Sequence, residues 1–148
     1  MIPAPAKRIV IDTNVCLDLF VFHDPRWARL LAALESGEVE AVTRADCRDE
    51  YRIVLHYPHL PLADDTRAVA EARFDALVKV VAPDQKPVRL PVCTDRDDQK
   101  FLEVARDAGA DILVTKDKAL LKLARRARRD GLQIVDPVGA TALFGQRA

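Results

Sequence analysis

Acidic side chains at four places in this sequence could together hold a metal ion. These positions are Asp12, Glu50, Asp98 and Asp117. Asp12 directly follows a short β-branched run at residues 9–11. Asp117 comes just after a second such run at residues 112–115. If the two runs form neighbouring parallel strands, both carboxylates leave the sheet at the edge where open α/β sheets bind ligands.

Carboxylates that converge in this way need a positive partner. Burying ionised carboxylates without a partner is costly or raises their pKa. A hard divalent cation such as Mg²⁺ or Mn²⁺ is the usual partner that keeps several carboxylates ionised in one site. The four acids therefore indicate a metal-dependent enzyme that acts on a phosphate ester.

Each acid also has a purely structural interpretation, which the sequence alone leaves open. Asp12 and Asp117 both precede predicted helices, so either could be an N-cap. Glu50 borders the apolar stripe of a predicted helix, although a solvated position at the edge of such a stripe is common. The joint placement of the acids, rather than any single spacing, favours a functional site.

Asp98 is the acid whose position on its helix is most informative. It lies on the same face as Phe101 and Leu102, at the spacing of an inward helical stripe. It also lies at the N-terminal end of that helix, where the helix dipole favours negative charge. Asp95 or Asp97 could cap this helix equally well, so the segment TDRDD contains more acids than capping requires.

Strands that alternate with helices are predicted along the chain. The apolar runs predict strands at residues 8–11, 39–43, 111–115 and 133–135. Helical spacing and caps predict helices at residues 14–22, 25–35, 45–55, 64–82, 97–108, 118–129 and 138–144. Residues 86–93 contain Pro87 and Pro91 and are predicted to be a loop or an edge segment. This order of elements indicates an α/β fold with a mainly parallel sheet and right-handed crossovers.

The composition limits the classes of protein that the chain could be. Its 148 residues suit one domain, predicted to span residues 1–148, and an apolar fraction of 49% can build a core. The net charge is formally zero, which argues against a uniformly basic protein but permits a local basic patch. The first residues show no signal-peptide pattern, and no run approaches the roughly 20 apolar residues of a membrane span. We therefore expect a cytoplasmic protein.

The cysteines do not suggest a metal or redox site. Cys16, Cys47 and Cys93 are widely spaced and form no CxxC pair, so neither a zinc ribbon nor a thioredoxin-like site is indicated. We expect these residues to be free, buried thiols in a reducing cytosol.

Four segments of the chain match a known family. They are RIVIDTNV, RDEYRIVL, DRDDQKFLEVARDAGADILVTKDKALL and LQIVDP. Together they resemble the PIN domain family of metal-dependent ribonucleases, in particular its bacterial toxin branch. The resemblance implies a three-layer α/β/α sandwich with a central mainly parallel sheet. It further implies an endoribonuclease that uses Mg²⁺ or Mn²⁺, leaves a 5′ phosphate and a 3′ hydroxyl, forms a homodimer and has a cognate antitoxin.

The resemblance also implies a role for each acid. The family's acidic quartet maps onto Asp12, Glu50, Asp98 and Asp117. Asp12 and Asp98 would be the principal metal ligands. Asp117 would bind the metal or orient a ligand, and Glu50 would bind the metal or orient the attacking water.

Further polar residues complete the implied site. Asp95 is expected to be an auxiliary metal ligand, with Asp97 as the alternative. Thr13, Asn14 and Thr115 match the family's polar residues beside the acids and would hydrogen-bond to the ligands or the phosphate.

Basic residues near the acidic edge are candidates for contact with RNA phosphates. One stripe on the helix predicted after Asp117 consists of Lys118, Lys122, Arg125 and Arg129. Lys116 lies beside this stripe, and Arg48 and Arg52 flank Glu50 on another helix. The alternative for either set is an ordinary solvated helix face.

Two other functions remain open from the sequence. One is a non-catalytic module that binds RNA or a protein. The other is an aspartyl phosphatase of the haloacid dehalogenase type, which also begins with a strand followed by Asp. That chemistry needs a second Asp two residues later, and here the position is Asn14.

Overall fold

A single parallel sheet forms the centre of the protein. The computed structural model describes residues 7–82 and 90–144. The strands are β1 (Lys7–Ile11), β2 (Val39–Thr43), β3 (Val78–Val80), β4 (Ile112–Val114) and β5 (Gln133–Val135). They lie in the order β3-β2-β1-β4-β5, and every neighbouring pair is parallel. The predicted α/β class with a mainly parallel sheet is confirmed.

Helices cover both faces of the sheet. They are α1 (Thr13–Phe20), α2 (Ala28–Ser36), α3 (Ala45–Val54), α4 (Asp64–Leu77), α5 (Gln99–Ala108), α6 (Lys118–Leu121), α7 (Ala124–Arg129) and α8 (Pro137–Leu143). Because successive strand residues point to opposite faces, Ile9 and Ile11 pack against α1, α2, α4 and α8. Val10 and Leu113 pack against α5, α6 and α7 on the other face. The result is the predicted three-layer α/β/α sandwich.

The order of the strands reverses between β1 and β4. The chain runs outward from β1 to β3, and then returns to the other side of β1 to form β4 and β5. Ile11 pairs with Val114 at the carboxyl ends of these two neighbours. In open α/β sheets a ligand crevice lies at this reversal point, outside the carboxyl ends of the strands. The residues that follow β1 and β4 are therefore placed side by side in the crevice.

The helix predicted at residues 64–82 is shorter than expected, and that prediction is wrong at its C-terminal end. α4 ends at Leu77, and Val78–Val80 forms the edge strand β3, paired with β2 through Ala41 and Thr43. β-Branched side chains favour a strand when a partner strand can satisfy the backbone. The apolar residues that suggested a longer helix continue into this strand without an interruption in their spacing.

The helix predicted at residues 118–129 is divided into α6 and α7. The N–H of Leu123 donates to the carbonyl of Leu120, a bond across three residues that tightens the turn between the two helices. Two other predicted helices begin with 3₁₀ turns, at Pro25–Trp27 and Arg96–Asp98. The predicted loop at residues 86–93 lies partly outside the described residues, and residues 90–93 have no regular structure.

Two other expectations concern the cysteines and membrane-spanning helices. All of Cys16, Cys47 and Cys93 are free and buried, as predicted. Within residues 7–82 and 90–144, every helix is too short or too polar to cross a membrane.

Candidate metal centre

Three carboxylates meet at the carboxyl edge of the sheet. Asp95, Asp98 and Asp117 each offer one oxygen, and these oxygens all lie within 4.8 Å of one another. Asp98 ends the 3₁₀ turn that opens α5, and Asp117 directly precedes α6. A hard cation bound by several carboxylate oxygens needs this kind of convergence. We refer to these residues as the three-carboxylate cluster.

The backbone of the 3₁₀ turn determines which acids reach the cluster. The Asp95 carboxylate caps the turn, because its Oδ1 accepts the N–H of Asp97 at 3.0 Å. Phe101 and Leu102 are buried against the sheet, and Asp98 lies on the same side of α5. Asp98 is therefore half-buried and turned toward Asp117, whereas Asp97 is exposed and is not a member of the cluster.

The electrostatics of Asp98 reflect an excess of negative charge among the described residues of the cluster. Burial, contact with the Asp117 carboxyl and the charges of Asp95 and Asp12 together raise the pKa of Asp98 to about 7. Its Oδ2 atom is buried and has no hydrogen-bond partner within the described ranges. A divalent cation would supply both the missing charge and the missing partner. The residues present therefore fit a divalent metal ion.

Asp12 lies beside the cluster and is almost fully buried. Its Oδ1 caps α1 by accepting the N–H of Val15 at 3.0 Å, while its Oδ2 accepts the Thr115 hydroxyl. Burial raises the pKa of Asp12, although these two hydrogen bonds act in the opposite direction. Its charge in turn raises the pKa of Asp98. Asp12 thus acts as an N-cap and also adds negative charge to the crevice.

Asp117 combines the same two features. Its Oδ1 caps α6 by accepting the N–H of Ala119 at 2.8 Å. Its own N–H donates to the Thr115 hydroxyl oxygen at 2.9 Å. The structural and functional interpretations of Asp117 are therefore compatible, because capping occupies one carboxylate oxygen and leaves the other.

Glu50 is separate from the three-carboxylate cluster. Its Oε2 accepts the Thr13 hydroxyl at 2.6 Å, and its Oε1 is 2.6 Å from the Lys100 ammonium. The next residue, Tyr51, fixes α3 against the core by stacking on Phe74 with ring centroids 4.5 Å apart. The acidic quartet predicted from the sequence is therefore arranged as Asp98 and Asp117 together, Asp12 beside them, and Glu50 in an ion pair.

A family assignment agrees with this geometry. A family model described as PIN domain matches residues 8–119. The chain belongs to the PIN domain family. The matched range includes Asp12, Glu50, Asp95, Asp98 and Asp117. PIN domains are typically metal-dependent nucleases. A comparison with curated proteins found no match to the chain.

The basic residues of this PIN domain that were predicted to contact RNA lie in three different environments. Lys116 is 2.8 Å from Asp18, and Arg52 is 2.8 Å from Asp75, so both are engaged in ion pairs. Arg48 is half-buried on α3. The other candidates are exposed and pair with no acid in the described part of the chain; they are Lys118, Lys122, Arg125 and Arg129.

The polar residues that follow Asp12 also differ from one another. Thr13 is half-buried and donates to Glu50, as described above. Asn14 is exposed at the second position of α1. Thr13 and Thr115 are therefore hydrogen-bonded to acids of the predicted site.

Two residues beside the centre were not identified from the sequence. Lys100 is the partner of Glu50, but it lies off the apolar stripe of α5 and is distant from Glu50 in sequence. Gln99 holds the segment that leads to Asp95: its Oε1 accepts the N–H of Cys93 at 2.7 Å, and its Nε2 donates to the carbonyl of Pro91 at 3.1 Å. Neither contact has a local sequence signal, because each depends on how the loop and α3 pack beside α5.

Proposed function

We propose that this PIN domain is an endoribonuclease that hydrolyses RNA phosphodiester bonds with Mg²⁺ or Mn²⁺. The observation that carries the proposal is the three-carboxylate cluster, with oxygens within 4.8 Å of one another and a buried Asp98 oxygen that has no hydrogen-bond partner among the described residues. The family match supports nuclease chemistry in the same residues.

The acids have distinct tasks in this proposal. Asp98, Asp117 and Asp95 would hold the cation directly. The resemblance implied that Asp12 is a principal metal ligand, but Asp12 is not part of the three-carboxylate cluster. In this proposal it would contribute its charge from the adjacent strand end, with Thr115 fixing its orientation. When bound, the metal ion lowers the pKa of water and neutralises charge on the phosphate.

A nucleic acid substrate is favoured because a basic surface with no acidic partner among the described residues starts at the cluster, and the sequence resemblance to ribonucleases favours RNA. Lys118 follows Asp117 directly, and Lys122, Arg125 and Arg129 continue along α6 and α7. Exposed cations that have no acidic partner are available to neutralise backbone phosphates. The position of this surface would guide a single strand past the three-carboxylate cluster.

The test is cleavage of a labelled, mostly single-stranded RNA pool by the purified protein. It should be run with Mg²⁺, Mn²⁺ or EDTA, for the wild type, Asp98→Asn and the matched control Asp97→Asn. We expect metal-dependent cutting that leaves 5′-phosphate ends, is lost in Asp98→Asn and persists in Asp97→Asn. If folded wild type cuts under no metal, the non-catalytic interaction module becomes the better description.

We propose in addition that the enzyme is the toxin of a toxin–antitoxin pair, on the strength of the sequence resemblance. Induced expression in a bacterial host should then arrest growth, and Asp98→Asn should abolish the arrest. A small neighbouring gene that encodes a DNA-binding protein should restore growth when it is co-expressed. Normal growth with abundant, folded wild-type protein would argue against a toxin.

The homodimer that the resemblance implies is a separate proposal. Light scattering coupled to size-exclusion chromatography measures the mass of the particle directly. A mass twice the chain mass of 16.5 kDa would support a homodimer, and a single chain mass over a range of concentrations would exclude it.

A further inference from the structure

Glu50 connects three elements that surround the metal centre. From α3, its two carboxylate oxygens contact the Thr13 hydroxyl at 2.6 Å and the Lys100 ammonium at 2.6 Å. Thr13 is the first residue of α1, and Lys100 is the second residue of α5. We call this connection the Thr13–Glu50–Lys100 bridge.

Each end of the bridge lies next to an acid of the site. Thr13 immediately follows Asp12, and Lys100 comes two residues after Asp98. The bridge therefore connects the turn after β1 to the turn before α5. Through Glu50 it fixes the separation of two turns that supply carboxylates from different parts of the chain.

The engagement of both Glu50 oxygens limits what Glu50 can do. Each oxygen already has a close donor, and the Lys100 ammonium neutralises charge that Glu50 would otherwise offer to a metal ion. Glu50 is also absent from the three-carboxylate cluster. The pair is partly shielded from solvent, with side chains 20% exposed for Lys100 and 32% exposed for Glu50. An ion pair held in this way is suited to positioning.

We propose that Lys100 is a positioning residue that acts through Glu50 and Thr13 to set the geometry of the metal centre, and that Glu50 is not a metal ligand. The inference rests on the proposed function, because it assumes that the carboxylates bind a divalent ion. It differs from the role implied by the sequence resemblance, which gave Glu50 contact with the metal or the attacking water. It also assigns a role to Lys100.

The test measures Mn²⁺ affinity by titration calorimetry, which does not depend on cleavage. Lys100→Met and Glu50→Gln should each weaken binding by about 10–100-fold, as expected for partners that orient metal ligands. Lys100→Arg keeps the charge and should bind Mn²⁺ almost as well as the wild type. The reversed pair, Glu50→Lys with Lys100→Glu, should recover most of the affinity that either single change loses.

A second ion pair supplies the control for general effects of removing a cation. Arg73 pairs with Glu35 at 3.4 Å between α4 and α2, so Arg73→Met should leave Mn²⁺ affinity unchanged. Thermal unfolding confirms that each variant is folded. If Lys100→Met does not fold, Lys100→Arg and the reversed pair still provide the comparison.

The outcomes separate this inference from the proposed function. Failure of the wild type to bind Mn²⁺ would overturn the metal centre itself. Wild-type affinity in folded Lys100→Met, with normal Mn²⁺ binding by the wild type, would overturn the bridge alone. Loss of binding in both Glu50→Gln and the reversed pair, to the extent seen in Asp98→Asn, would show that Glu50 is a ligand.

Discussion

The Thr115 hydroxyl donates a hydrogen bond to the buried carboxylate of Asp12. Both side chains are almost inaccessible, with residue exposures of 0% and 4%. The same hydroxyl oxygen accepts the N–H of Asp117 at 2.9 Å. One hydroxyl thus joins the acid after β1 to the acid after β4, across the point where the strand order reverses.

Thr115→Val should damage both stability and activity. It removes the only side-chain donor to Asp12 Oδ2 in the described ranges and leaves a buried oxygen unsatisfied, which costs about 1–3 kcal/mol. It also removes the hydrogen bond that orients the Asp12 carboxylate, so the rate of cleavage should fall about 10–100-fold. Denaturant unfolding and single-turnover cleavage measure the two effects.

Thr115→Ser is the matched control for that change, because it keeps the hydroxyl and removes only a methyl group. It should retain most of the activity. Equal activity in the Val and Ser variants would show that the hydroxyl does not orient Asp12.

The raised pKa of Asp98 predicts that the metal-free protein loses stability as pH rises. The pKa is about 7 in the folded protein against an ordinary value of 3.8. Between these values the folded state keeps a proton that the unfolded state has released. The free energy of unfolding should therefore fall from about pH 4 to about pH 7 and then level off.

Denaturant unfolding in EDTA, from pH 4 to pH 8, measures this pH dependence. Other acids titrate over part of the same range, so the quantity of interest is the difference between the wild type and Asp98→Asn. Asp98→Asn should be the more stable protein near neutral pH, because it removes a charge that is poorly solvated. Parallel pH profiles for the two proteins would contradict the raised pKa.

Asp95 and Asp97 should differ in their effect on metal affinity. Asp95 belongs to the three-carboxylate cluster, whereas Asp97 is exposed and is not part of it. Asp95→Asn keeps a capable N-cap, so its effect reports on the lost charge. Asp95→Asn should weaken Mn²⁺ binding by at least about 10-fold, which is the loss typical when a residue that orients a metal ligand is removed. Asp97→Asn should bind Mn²⁺ nearly as the wild type does, and the opposite order would assign the auxiliary role to Asp97.

The sequence predicted the parts of the fold that have strong local signals. The runs at β1 and β4 are short, apolar and followed by acids, so their positions and their shared edge could both be inferred. β3 could not be separated from α4, because Val78 and Val80 continue an apolar pattern that also suits a helix. Its strand conformation depends on pairing with β2, which is a long-range contact.

The candidate site was predictable to a similar extent. Asp12 and Asp117 could be placed at one edge because each follows a predicted parallel strand, and Asp98 could be added because it lies on the apolar face of its helix. The arrangement of Glu50 could not be predicted, since its Lys100 partner is 50 positions away in the sequence. Glu50 could pair with a cation of the protein or bind a metal ion from solution, and the charge of Lys100 decides between the two. Only tertiary packing brings Glu50 and Lys100 together.

The exposed cations on α6 and α7 should determine the salt dependence of RNA binding. Each phosphate contact that is lost should lower the slope of log affinity against log salt by about 0.7 for a single strand. Arg125→Ala and Lys122→Ala should each show this reduction, with a weakening that is similar for different RNA sequences. Fluorescence anisotropy of a labelled RNA in Asp98→Asn, which would not cut it, measures the slope.

Two controls make that prediction specific to the surface beside the three-carboxylate cluster. Arg29 is exposed on α2, on the opposite face of the sheet, so Arg29→Ala should leave the slope unchanged. Lys116 already pairs with Asp18 at 2.8 Å, so Lys116→Ala should change the slope less than Lys122→Ala does. A defined RNA path past Asp117 requires the cations of α6 and α7 to contribute more to the slope than distant cations do. An equal change of slope in all of these variants would therefore mean that RNA binds through diffuse electrostatic attraction.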